Sequence, residues 1–527
     1  MRNRGSIDAW LRTSVSRRTF LGGLALGSVA PTRLSGALAS ARDLRFQTSP
    51  FTLGVASGDP TSEGVVLWTR LAPDPLHGGG MPPVDVEVTW LMATDERMAK
   101  VARRGRTVAR AEWAHSVHVD ADGLEPARWY WYQFRVGNEL SPVGRTRTLP
   151  RDGAEIDLLR FAFASCQNYE MGYFTAYQHA AAEDLDVMFH LGDYIYESAG
   201  MPGRVRSHGG PELTTLADYR SRYAAYKTDP DLQAAHAAFP WIVVSDDHEV
   251  DNNYAAERSE RNDPVDAFLA RRAAAYQAYY EHMPLGRSSR PKGPSLRLYR
   301  RFSFGSLASF FVLDTRQFRT DQPCGDGARA PCPAVFDPHA TLLGQRQERW
   351  LIDGLARSRA GWNVLPQQVM MAPVDGGPGS ETRYAMDQWA GYAAARRRLL
   401  EFIGTRRPSN SVVLTGDSHS NWVNDLKVEA ADETSPVVAT ELVGTSISSG
   451  GDGFDGRDVF SSVAAKNPFV KFYNAQRGYV SCEITPKEMR AHYRVLDYVT
   501  DRGAPRTTRA VFVVEDGRPG AQQVEGT

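Results

Sequence analysis

Four strongly apolar stretches of the chain each end in a short polar cluster. The stretches at 159–164, 186–191, 241–244 and 411–415 are rich in Val, Leu, Ile, Met and Phe, which is typical of buried strands. The clusters that follow are Ser165-Cys166-Gln167, Gly192-Asp193-Tyr194-Ile195-Tyr196-Glu197, Asp246-Asp247-His248-Glu249 and Gly416-Asp417-Ser418-His419. Ligands of an open α/β sheet bind at the carboxyl ends of its strands, so we expect these clusters to converge. Thiolate, phenolate, carboxylate and imidazole groups at one place indicate a two-metal site.

Two further patterns divide the chain. From about 51 to 150, apolar and polar residues alternate with period two, as at 84–90 and 128–136, which predicts a small β-sandwich over 46–150 similar to a fibronectin type III module. From about 157 onward, strands alternate with helical periodicity, which predicts an α/β fold over 155–527. The predicted helices span 173–183, 219–236, 266–280, 342–356 and 389–402, and a hairpin is predicted at 296–314.

Composition places the chain among ordinary globular proteins. Its 527 residues are 42% hydrophobic and 23% charged, which leaves room for two or three cores. Lys and Arg number 61 against 62 Asp and Glu, a formal net charge of -1. No global basic field therefore favours nucleic acid or an anionic membrane as a partner.

The first forty residues have the pattern of an export signal. Arg17 and Arg18 precede the short apolar run 20–27, and small residues follow at 37–39. The run is far shorter than the roughly 20 residues of a transmembrane helix, so we expect no membrane anchor. The string 16–21, Ser-Arg-Arg-Thr-Phe-Leu, resembles a twin-arginine signal. We therefore predict a signal over 1–41, the twin-arginine translocase as a partner, and a location in the periplasm, the cell wall or outside the cell.

The four cysteines differ in their surroundings. Cys324 and Cys332 lie in a loop rich in Pro and Gly and are the natural candidates for a disulfide in an oxidising compartment, although their pairing stays open. Cys482 lies in a predicted strand, where it is expected as a small buried hydrophobe. Cys166 is left at a strand end beside polar residues, as a candidate ligand or nucleophile.

Three of the clusters have the spacing of metal ligands. Tyr196 follows Asp193 by three residues, and a phenolate ligand indicates a strongly acidic metal such as ferric iron, because tyrosine normally ionises near pH 10. The adjacent carboxylates at 246–249 would repel one another unless cations or hydrogen bonds compensate. Asp417 and His419 would point the same way in an extended chain. Taken singly, these motifs also fit an aspartate that caps a strand end or a solvated acidic loop.

Together the motifs resemble the calcineurin-like metallophosphoesterase superfamily, and more closely its alkaline phosphatase D (PhoD) family. The resemblance covers nearly the whole chain, from the export signal and the N-terminal β module to the four clusters and two further segments, 250–253 and 368–373. It implies a metallophosphoesterase β-sandwich flanked by helices, preceded by the all-β module. It also implies Fe(3+) and Ca(2+) as cofactors.

The resemblance implies a role for each residue that matches the family pattern. The expected metal ligands are Cys166, Asp193, Tyr196, Asp247, Asp417 and His419, and the expected catalytic residues are His248, Asp193 and Asp247. Asp193 would bridge the two metals, and Cys166 stands where the wider superfamily has Asp-x-His. Aspartates rather than histidines would hold the second metal, which favours calcium, magnesium or manganese over zinc. Contacts to substrate or to these ligands are expected from Asp246, Glu249, Asn253 and Gln368.

The function implied is that of a secreted phosphoesterase acting on phosphate monoesters and on diesters. A metal-bound hydroxide would attack phosphorus in line, and His248, oriented by a neighbouring carboxylate such as Glu249, would protonate the leaving oxygen. One alternative is a phospholipase D or phosphodiesterase acting on lipid head groups or wall polymers. Another is a secreted module that binds without catalysis and keeps a structural metal.

Overall fold

The structure is a computed structural model, and it describes residues 45–526. Within this range the strands are β1 Val55–Gly58, β2 Gly64–Arg70, β3 Val86–Ala93, β4 Val101–Ala109, β5 Ser116–Asp122, β6 Trp129–Val136, β7 Glu139–Leu140, β8 Gly144–Arg147, β9 Leu159–Ala164, β10 Val187–His190, β11 Trp241–Val243, β12 Arg300–Phe304, β13 Ala308–Val312, β14 Ala328–Arg329, β15 Trp362–Pro366, β16 Tyr384–Ala385, β17 Ser411–Thr415, β18 Asn421–Lys427, β19 Val437–Val443, β20 Val470–Asn474, β21 Gly478–Ile484, β22 Glu488–Leu496, β23 Arg506–Glu515 and β24 Arg518–Gly526. The helices are α1 Thr175–Ala181, α2 Leu216–Lys227, α3 Pro230–Ala238, α4 Val265–His282, α5 Gly344–Arg357, α6 Ala393–Arg406 and α7 Arg457–Lys466.

Two large sheets face each other within the described residues. One has the order β24-β23-β22-β21-β9-β10-β11-β1-β2-β5, and the other has the order β12-β13-β15-β17-β19-β18-β20. Their facing side chains form a common apolar core, in which the ring of Phe310 lies 4.7 Å from that of Phe189 and 5.3 Å from that of Phe161. Helices α5 and α6 cover the outer face of the second sheet. The α/β architecture of a β-sandwich flanked by helices is therefore confirmed.

The strands that precede the polar clusters are parallel. β9, β10 and β11 are adjacent and parallel in the first sheet, and β13, β15, β17 and β19 are adjacent and parallel in the second. Their carboxyl ends lie at the same end of the sandwich, where a bridge between Ser165 and Ser446 joins the two sheets. This topology brings the loops after β9, β10, β11 and β17 together.

The N-terminal module is not separated from the large sandwich. Strands β3, β4, β6, β7 and β8 form a sheet of their own, but β1, β2 and β5 belong to the first large sheet. Strand β1 lies parallel to β11, with Gly58 opposite Trp241. A Cβ on Gly58 would lie 2.6 Å from the carbonyl oxygen of Trp241, so this glycine permits the close approach of the strands. The domain boundary near residue 150 stays a prediction, because one layer of the N-terminal sandwich, β1, β2 and β5, belongs to the first large sheet.

The helix predicted at 219–236 is wrong as a single element. Asp229 and Pro230 divide it into α2 and α3, since Pro230 occupies the first turn of α3 and the Asp229 carboxylate accepts hydrogen bonds from the backbone N–H groups of Asp231 and Leu232.

The hairpin predicted at 296–314 is confirmed as β12 and β13, which are antiparallel. The disulfide between Cys324 and Cys332 is present, and Cys166 and Cys482 are free and buried. Among the described residues no helix is long and apolar enough to cross a membrane, and the predicted signal lies outside them.

Candidate metal centre

Backbone hydrogen bonds hold the loops after β9 and β10 against each other. The N–H of Cys166 donates to the carbonyl of Gly192 at 3.1 Å, and the N–H of Gln167 donates to the carbonyl of Asp193 at 3.0 Å. The loop after β19 joins them, because the N–H of Ile447 donates to the carbonyl of Ser165 at 3.0 Å. Main-chain contacts therefore fix the positions of the side chains in these loops.

Several of these side chains stand on backbone in the left-handed region. The φ angles are 60° at Cys166, 58° at Asp193, 58° at Asp417 and 50° at His419. Such a conformation costs an L-residue about 1–2 kcal/mol, and it persists only where the surroundings enforce it. The sharp turn at the end of each strand aims the side chain at the common centre instead of along the strand.

The first group of potential ligands contains Cys166, Asp193 and His419. One ligand atom from each lies within 4.8 Å of the others. Tyr196 belongs to the same group, because its hydroxyl lies 2.9 Å from Oδ2 of Asp193 and 3.2 Å from Nε2 of His419. The Ser449 hydroxyl donates to the Tyr196 oxygen at 2.6 Å. The arrangement offers one thiol, one phenol, one carboxylate and one imidazole to a single cation.

The second group is formed by carboxylates. Ligand atoms of Asp246, Asp247 and Asp417 lie within 4.8 Å of one another, and the same holds for Asp193, Asp247 and His248. Asp193 thus belongs both to the first group and to one that contains Asp247. This is the position expected of a carboxylate between two cations.

Unpaired oxygens show that the site suits cations. Oδ1 of Asp193, Oδ1 of Asp247 and Oδ2 of Asp246 are buried and have no hydrogen-bond partner in the described part of the chain. Buried polar atoms without a partner carry a desolvation cost and are rare in native proteins. Cations between these carboxylates would satisfy all three oxygens, so the residues fit the metals that the motifs indicated.

Burial controls ionisation in the first group. Burial and the charge of Asp193 raise the pKa of the Cys166 thiol and that of the Tyr196 phenol well above their usual values. Burial and then Arg477 lower the pKa of His419 to about 3, which keeps the imidazole neutral and free to act as a ligand. A cation that binds here must therefore displace protons from the thiol and the phenol.

The carboxylates of the second group are not equivalent. Burial raises the pKa of Asp193 and that of Asp246 well above their usual values, and it raises the pKa of Asp417 to about 6. Burial alone would also raise the pKa of Asp247, but Arg316 and His248 lower it below its usual value. Asp247 is therefore the carboxylate of this group that is most readily ionised.

Arg316 is a residue of this centre that lies in none of the four polar clusters. Its guanidinium is fully buried, and it donates from Nε to Oδ1 of Asp246 at 2.5 Å. Nη1 lies 2.7 Å from Oδ2 of Asp387. Arg316 offsets part of the negative charge of the acidic group. It could have been found, because the apolar run 307–313 also ends in a polar cluster, Asp314-Thr315-Arg316-Gln317.

The carboxylate that orients His248 is Glu197, so the expectation that named Glu249 is wrong. Oε2 of Glu197 lies 2.7 Å from Nδ1 of His248, and Oε1 accepts a hydrogen bond from the N–H of Asn252 at 2.9 Å. Burial alone would lower the pKa of His248, but Glu197, Asp193 and Asp247 raise it well above its usual value. The surrounding carboxylates therefore favour the protonated form of the imidazole, which is only partly covered.

Glu249 instead holds the loops together. Its carboxylate accepts hydrogen bonds from the backbone N–H groups of Asp193 at 3.2 Å, Tyr194 at 2.6 Å and Asp246 at 2.8 Å. Burial raises its pKa to about 7. With its acceptors used in this way, Glu249 supports the backbone of the predicted ligand Asp193 and that of Asp246, which precedes the predicted ligand Asp247.

Two further predicted residues, Asn253 and Gln368, form hydrogen bonds with the loops of the centre. The N–H of Asn253 donates to Oδ2 of Asp247 at 2.7 Å, and its amide donates to Asp326 at 2.6 Å. The Gln368 carbonyl oxygen accepts from the N–H of Gly416 at 2.9 Å, which positions the loop of Asp417. The side chain of Gln368 is occupied by the backbone of Thr315 and Leu313. The Gln368 amide therefore holds the segment 313–315 in place rather than facing a substrate.

Two family models match the chain. The PhoD-like phosphatase model matches residues 161–493, and the model of the PhoD-like phosphatase N-terminal domain matches residues 37–150. Alkaline phosphatase D of Bacillus subtilis (strain 168) is 53% identical over 487 residues, which are 92% of this chain and 84% of that protein. A solved structure described as the structure of PhoD superposes with a TM-score of 0.90 at 52% identity, over 92% of this chain and 94% of that one.

The matched region contains all six predicted metal ligands, and the fold agrees over nearly the whole length. The chain belongs to the PhoD-like phosphatase family, whose members are metal-dependent hydrolases of phosphoric esters.

Proposed function

We propose that the protein is an exported alkaline phosphatase of the PhoD type that hydrolyses phosphate monoesters and diesters. The observation that carries the proposal is the convergence of two overlapping ligand groups beside a histidine held by a carboxylate. Structural metal sites are closed and seldom draw their ligands from several strand ends. A site of this kind is suited to substrates that carry a phosphoryl group.

The proposed ligands divide between two kinds of cation. Cys166, Tyr196, His419 and Asp193 would hold Fe(3+), whereas Asp193, Asp247 and Asp417 would hold Ca(2+), because a hard cation prefers carboxylate oxygens. When bound, the cations would supply a nucleophile at moderate pH and neutralise charge on the phosphoryl oxygens. Catalytic roles are proposed for His248, Asp193 and Asp247.

His248 is proposed as the general acid. Its Nδ1 is held by Glu197, which leaves Nε2 to face the ester. In the hydrolysis a water oxygen bonds to phosphorus and releases a proton to solvent, the P–O ester bond breaks, and the departing oxygen takes a proton from His248, which regains one from solvent. The raised pKa of His248 keeps that proton available on the alkaline side of neutrality.

The proposed activity is tested by comparing kcat/KM for an aryl phosphate monoester, an aryl diester and a choline phospholipid. All three are measured at one alkaline pH, with calcium and after chelation. We expect turnover of both aryl esters and its loss on chelation. Strong hydrolysis of the phospholipid with negligible turnover of the monoester would favour the phospholipase alternative, and calcium-independent turnover would contradict the second-metal assignment.

The ferric assignment is tested by Tyr196→Phe. Phenolate and thiolate ligands both give Fe(3+) a visible absorption band, so the variant should shift or lose that band and contain less iron. Asp193→Ala should lose both metals, because its carboxylate lies in both groups, whereas His248→Ala should keep them and lose turnover. A colourless enzyme that is fully active without iron would overturn the assignment.

Export through the twin-arginine translocase is proposed from residues 16–21, which the structure does not describe. The pair Arg17 and Arg18 precedes an apolar run too short to anchor in a membrane. Replacing both arginines by lysine should leave active protein in the cytoplasm. Unchanged export of the double variant would overturn the proposed route.

A further inference from the structure

A cleft of about 760 Å³ lies beside the segment that follows Arg316 in the sequence. Gln317 and Phe318, the next two residues along the chain, line it, together with the segment 288–299 and the first turn of α5. Four of its lining residues are cationic: Arg290, Lys292, Arg297 and Arg346. None of its fifteen lining residues is Asp or Glu.

These four cations are exposed, and within residues 45–526 none of them forms an ion pair with a carboxylate. The neighbouring cleft that shares Arg290 is different, since its Arg287 lies 3.0 Å from Asp120 and its Arg110 lies 3.5 Å from Asp85. The whole chain is nearly neutral, so clustered cations without carboxylate partners are a local feature. Such a cluster attracts an anion from solution.

Two further features of the cleft bear on the kind of ligand that it would bind. The N-terminus of the fourteen-residue helix α5, whose first N–H donates to Oγ1 of Thr341 at 2.9 Å, lines the cleft and adds partial positive charge to it. Aromatic rings form part of the wall, with the ring of Tyr299 5.1 Å from that of Trp350 and 5.9 Å from that of Phe318. The cleft thus offers guanidinium groups for an anion beside an apolar surface for a carbon skeleton.

We infer that this cleft is a second, non-catalytic binding site for phosphate groups. Arginine forks match the oxygens of a phosphate, and several cations along one cleft suit consecutive phosphates of a chain. The choice of phosphate over other anions rests on the proposed phosphoesterase function. The phosphate could come from a phosphate chain or from the free anion, and both share the chemistry that the arginines recognise.

The test is isothermal titration calorimetry of the holoenzyme with a short linear polyphosphate, and separately with inorganic phosphate. The variant is Arg297→Gln/Arg346→Gln. Its control is Arg357→Gln/Arg406→Gln, which removes the same charge from exposed positions at the ends of α5 and α6, outside the cleft. Loss of one charge-assisted contact weakens binding about tenfold, so we expect the cleft variant to lose about a hundredfold in polyphosphate affinity.

The dependence of affinity on salt gives a second readout. The logarithm of the binding constant should fall with the logarithm of salt concentration, with a shallower slope in the cleft variant than in the control. The metal centre is the same in both proteins, so the difference reports the cleft. If inorganic phosphate also binds less tightly to the cleft variant, the free anion is a sufficient ligand; if only polyphosphate does, the cleft binds phosphate chains.

Three results would overturn the inference. They are equal polyphosphate affinity in the cleft variant and its control, an unchanged salt dependence, and binding of polyglutamate as tight as that of polyphosphate. Aryl ester turnover of the same preparation separates this inference from the proposed function. Absent turnover with the cleft effect intact counts against the function and supports the cleft, whereas normal turnover with no cleft effect counts against the cleft.

Discussion

The contact between Glu197 and His248 decides which nitrogen of the imidazole faces a substrate. With Nδ1 held at 2.7 Å, the ring presents Nε2, and the buried carboxylate raises the pKa of His248 and so favours its protonated form. The ring of Tyr196 lies 4.2 Å from that of His248 and limits its rotation. A positioned general acid accelerates proton transfer more than a mobile one, so Glu197 acts through His248.

We predict that Glu197→Gln lowers kcat on the order of a hundredfold without loss of metal. The amide removes the negative charge that raises the pKa of His248, so the alkaline limb of the pH profile should move to lower pH. Steady-state kinetics across pH, with metal content measured in the same sample, check both expectations. The matched variant Glu249→Gln should instead lower metal content and stability, because its carboxylate accepts three backbone hydrogen bonds. The reverse pattern would restore Glu249 as the orienting residue.

The convergence of Cys166, Asp193 and His419 could be predicted from short motifs, because each follows an apolar strand and parallel strands end together. The hydrogen-bond partners of the site residues could not be predicted from these motifs. Glu197 lies 51 positions from His248, and Arg316 lies 70 positions from Asp246. Such pairings depend on the folded arrangement of loops, and no local pattern in the chain encodes them.

The side chains of the site follow the ends of strands, and Gly192 shows how closely the turns at these ends pack against each other. Its φ is 107°, and a Cβ at this position would lie 2.3 Å from the Cβ of Asp246. The turn after β10 can therefore approach the turn after β11 only because residue 192 has no side chain. This approach sets the spacing between Asp193 and the carboxylates that follow β11.

We predict that Gly192→Ala separates these two loops and lowers metal content, activity and stability together. The matched control is Gly203→Ala, where φ is 74° but a Cβ would meet nothing within 4 Å. The control should cost only the left-handed conformation, about 1–2 kcal/mol, and keep its metals. Urea unfolding and metal analysis of both variants provide the comparison. A Gly192→Ala enzyme with full metal content would contradict the packing argument.

A buried histidine links α4 to β2. Nδ1 of His282 donates to the carbonyl of Ala278 at 2.7 Å, and Nε2 accepts from Nη1 of Arg70 at 2.7 Å. Burial, followed by the charge of Arg70, lowers the pKa of His282 well below its usual value. The ring is therefore neutral when folded, and the unfolded chain binds the extra proton as the pH falls below about 6.5.

We predict that His282 makes the protein less stable at acidic pH. Between about pH 6.5 and about pH 5 this one group should lower the free energy of unfolding, by at most about 1.4 kcal/mol for each pH unit. His282→Gln keeps a polar side chain that does not titrate, so its stability should fall less over the same range. Urea unfolding of both proteins at the two pH values measures the difference, and parallel losses would contradict the prediction.

The periodicity of the chain predicts elements well where one face is buried, as in α5 and the hairpin of β12 and β13. Periodicity does not predict which strands pair when the two strands are distant in the sequence. Residues 57–60, Ser-Gly-Asp-Pro, have the composition of a turn, yet Ser57 and Gly58 end a strand whose neighbour β11 lies far along the chain. Only the assembled sheet distinguishes a glycine needed for a turn from one needed for a close approach between strands.

One sheet runs through the N-terminal module and the catalytic part of the molecule. Besides the pairing of β1 with β11, the buried indole of Trp68 donates to the carbonyl of Glu281 at 3.0 Å, and Arg300 lies 2.7 Å from Asp59. The two family models divide the chain between 150 and 161, but the described sheet does not. The N-terminal residues therefore complete the fold of the catalytic part.

We predict that residues 155–527 expressed alone are insoluble or unfolded. Removing β1 and β2 would expose the edge of β11 and the apolar residues that pack against them, including Trp241. Each large apolar side chain that loses its cover costs about 1.5–3 kcal/mol, whereas a domain has only about 5–15 kcal/mol in total. An unpaired strand edge also promotes aggregation. Expression of this fragment beside one that begins at residue 45, with circular dichroism and aryl ester turnover of the soluble fractions, makes the comparison. A soluble shorter fragment with the Tm and kcat/KM of the longer one would show that the N-terminal module folds and functions separately.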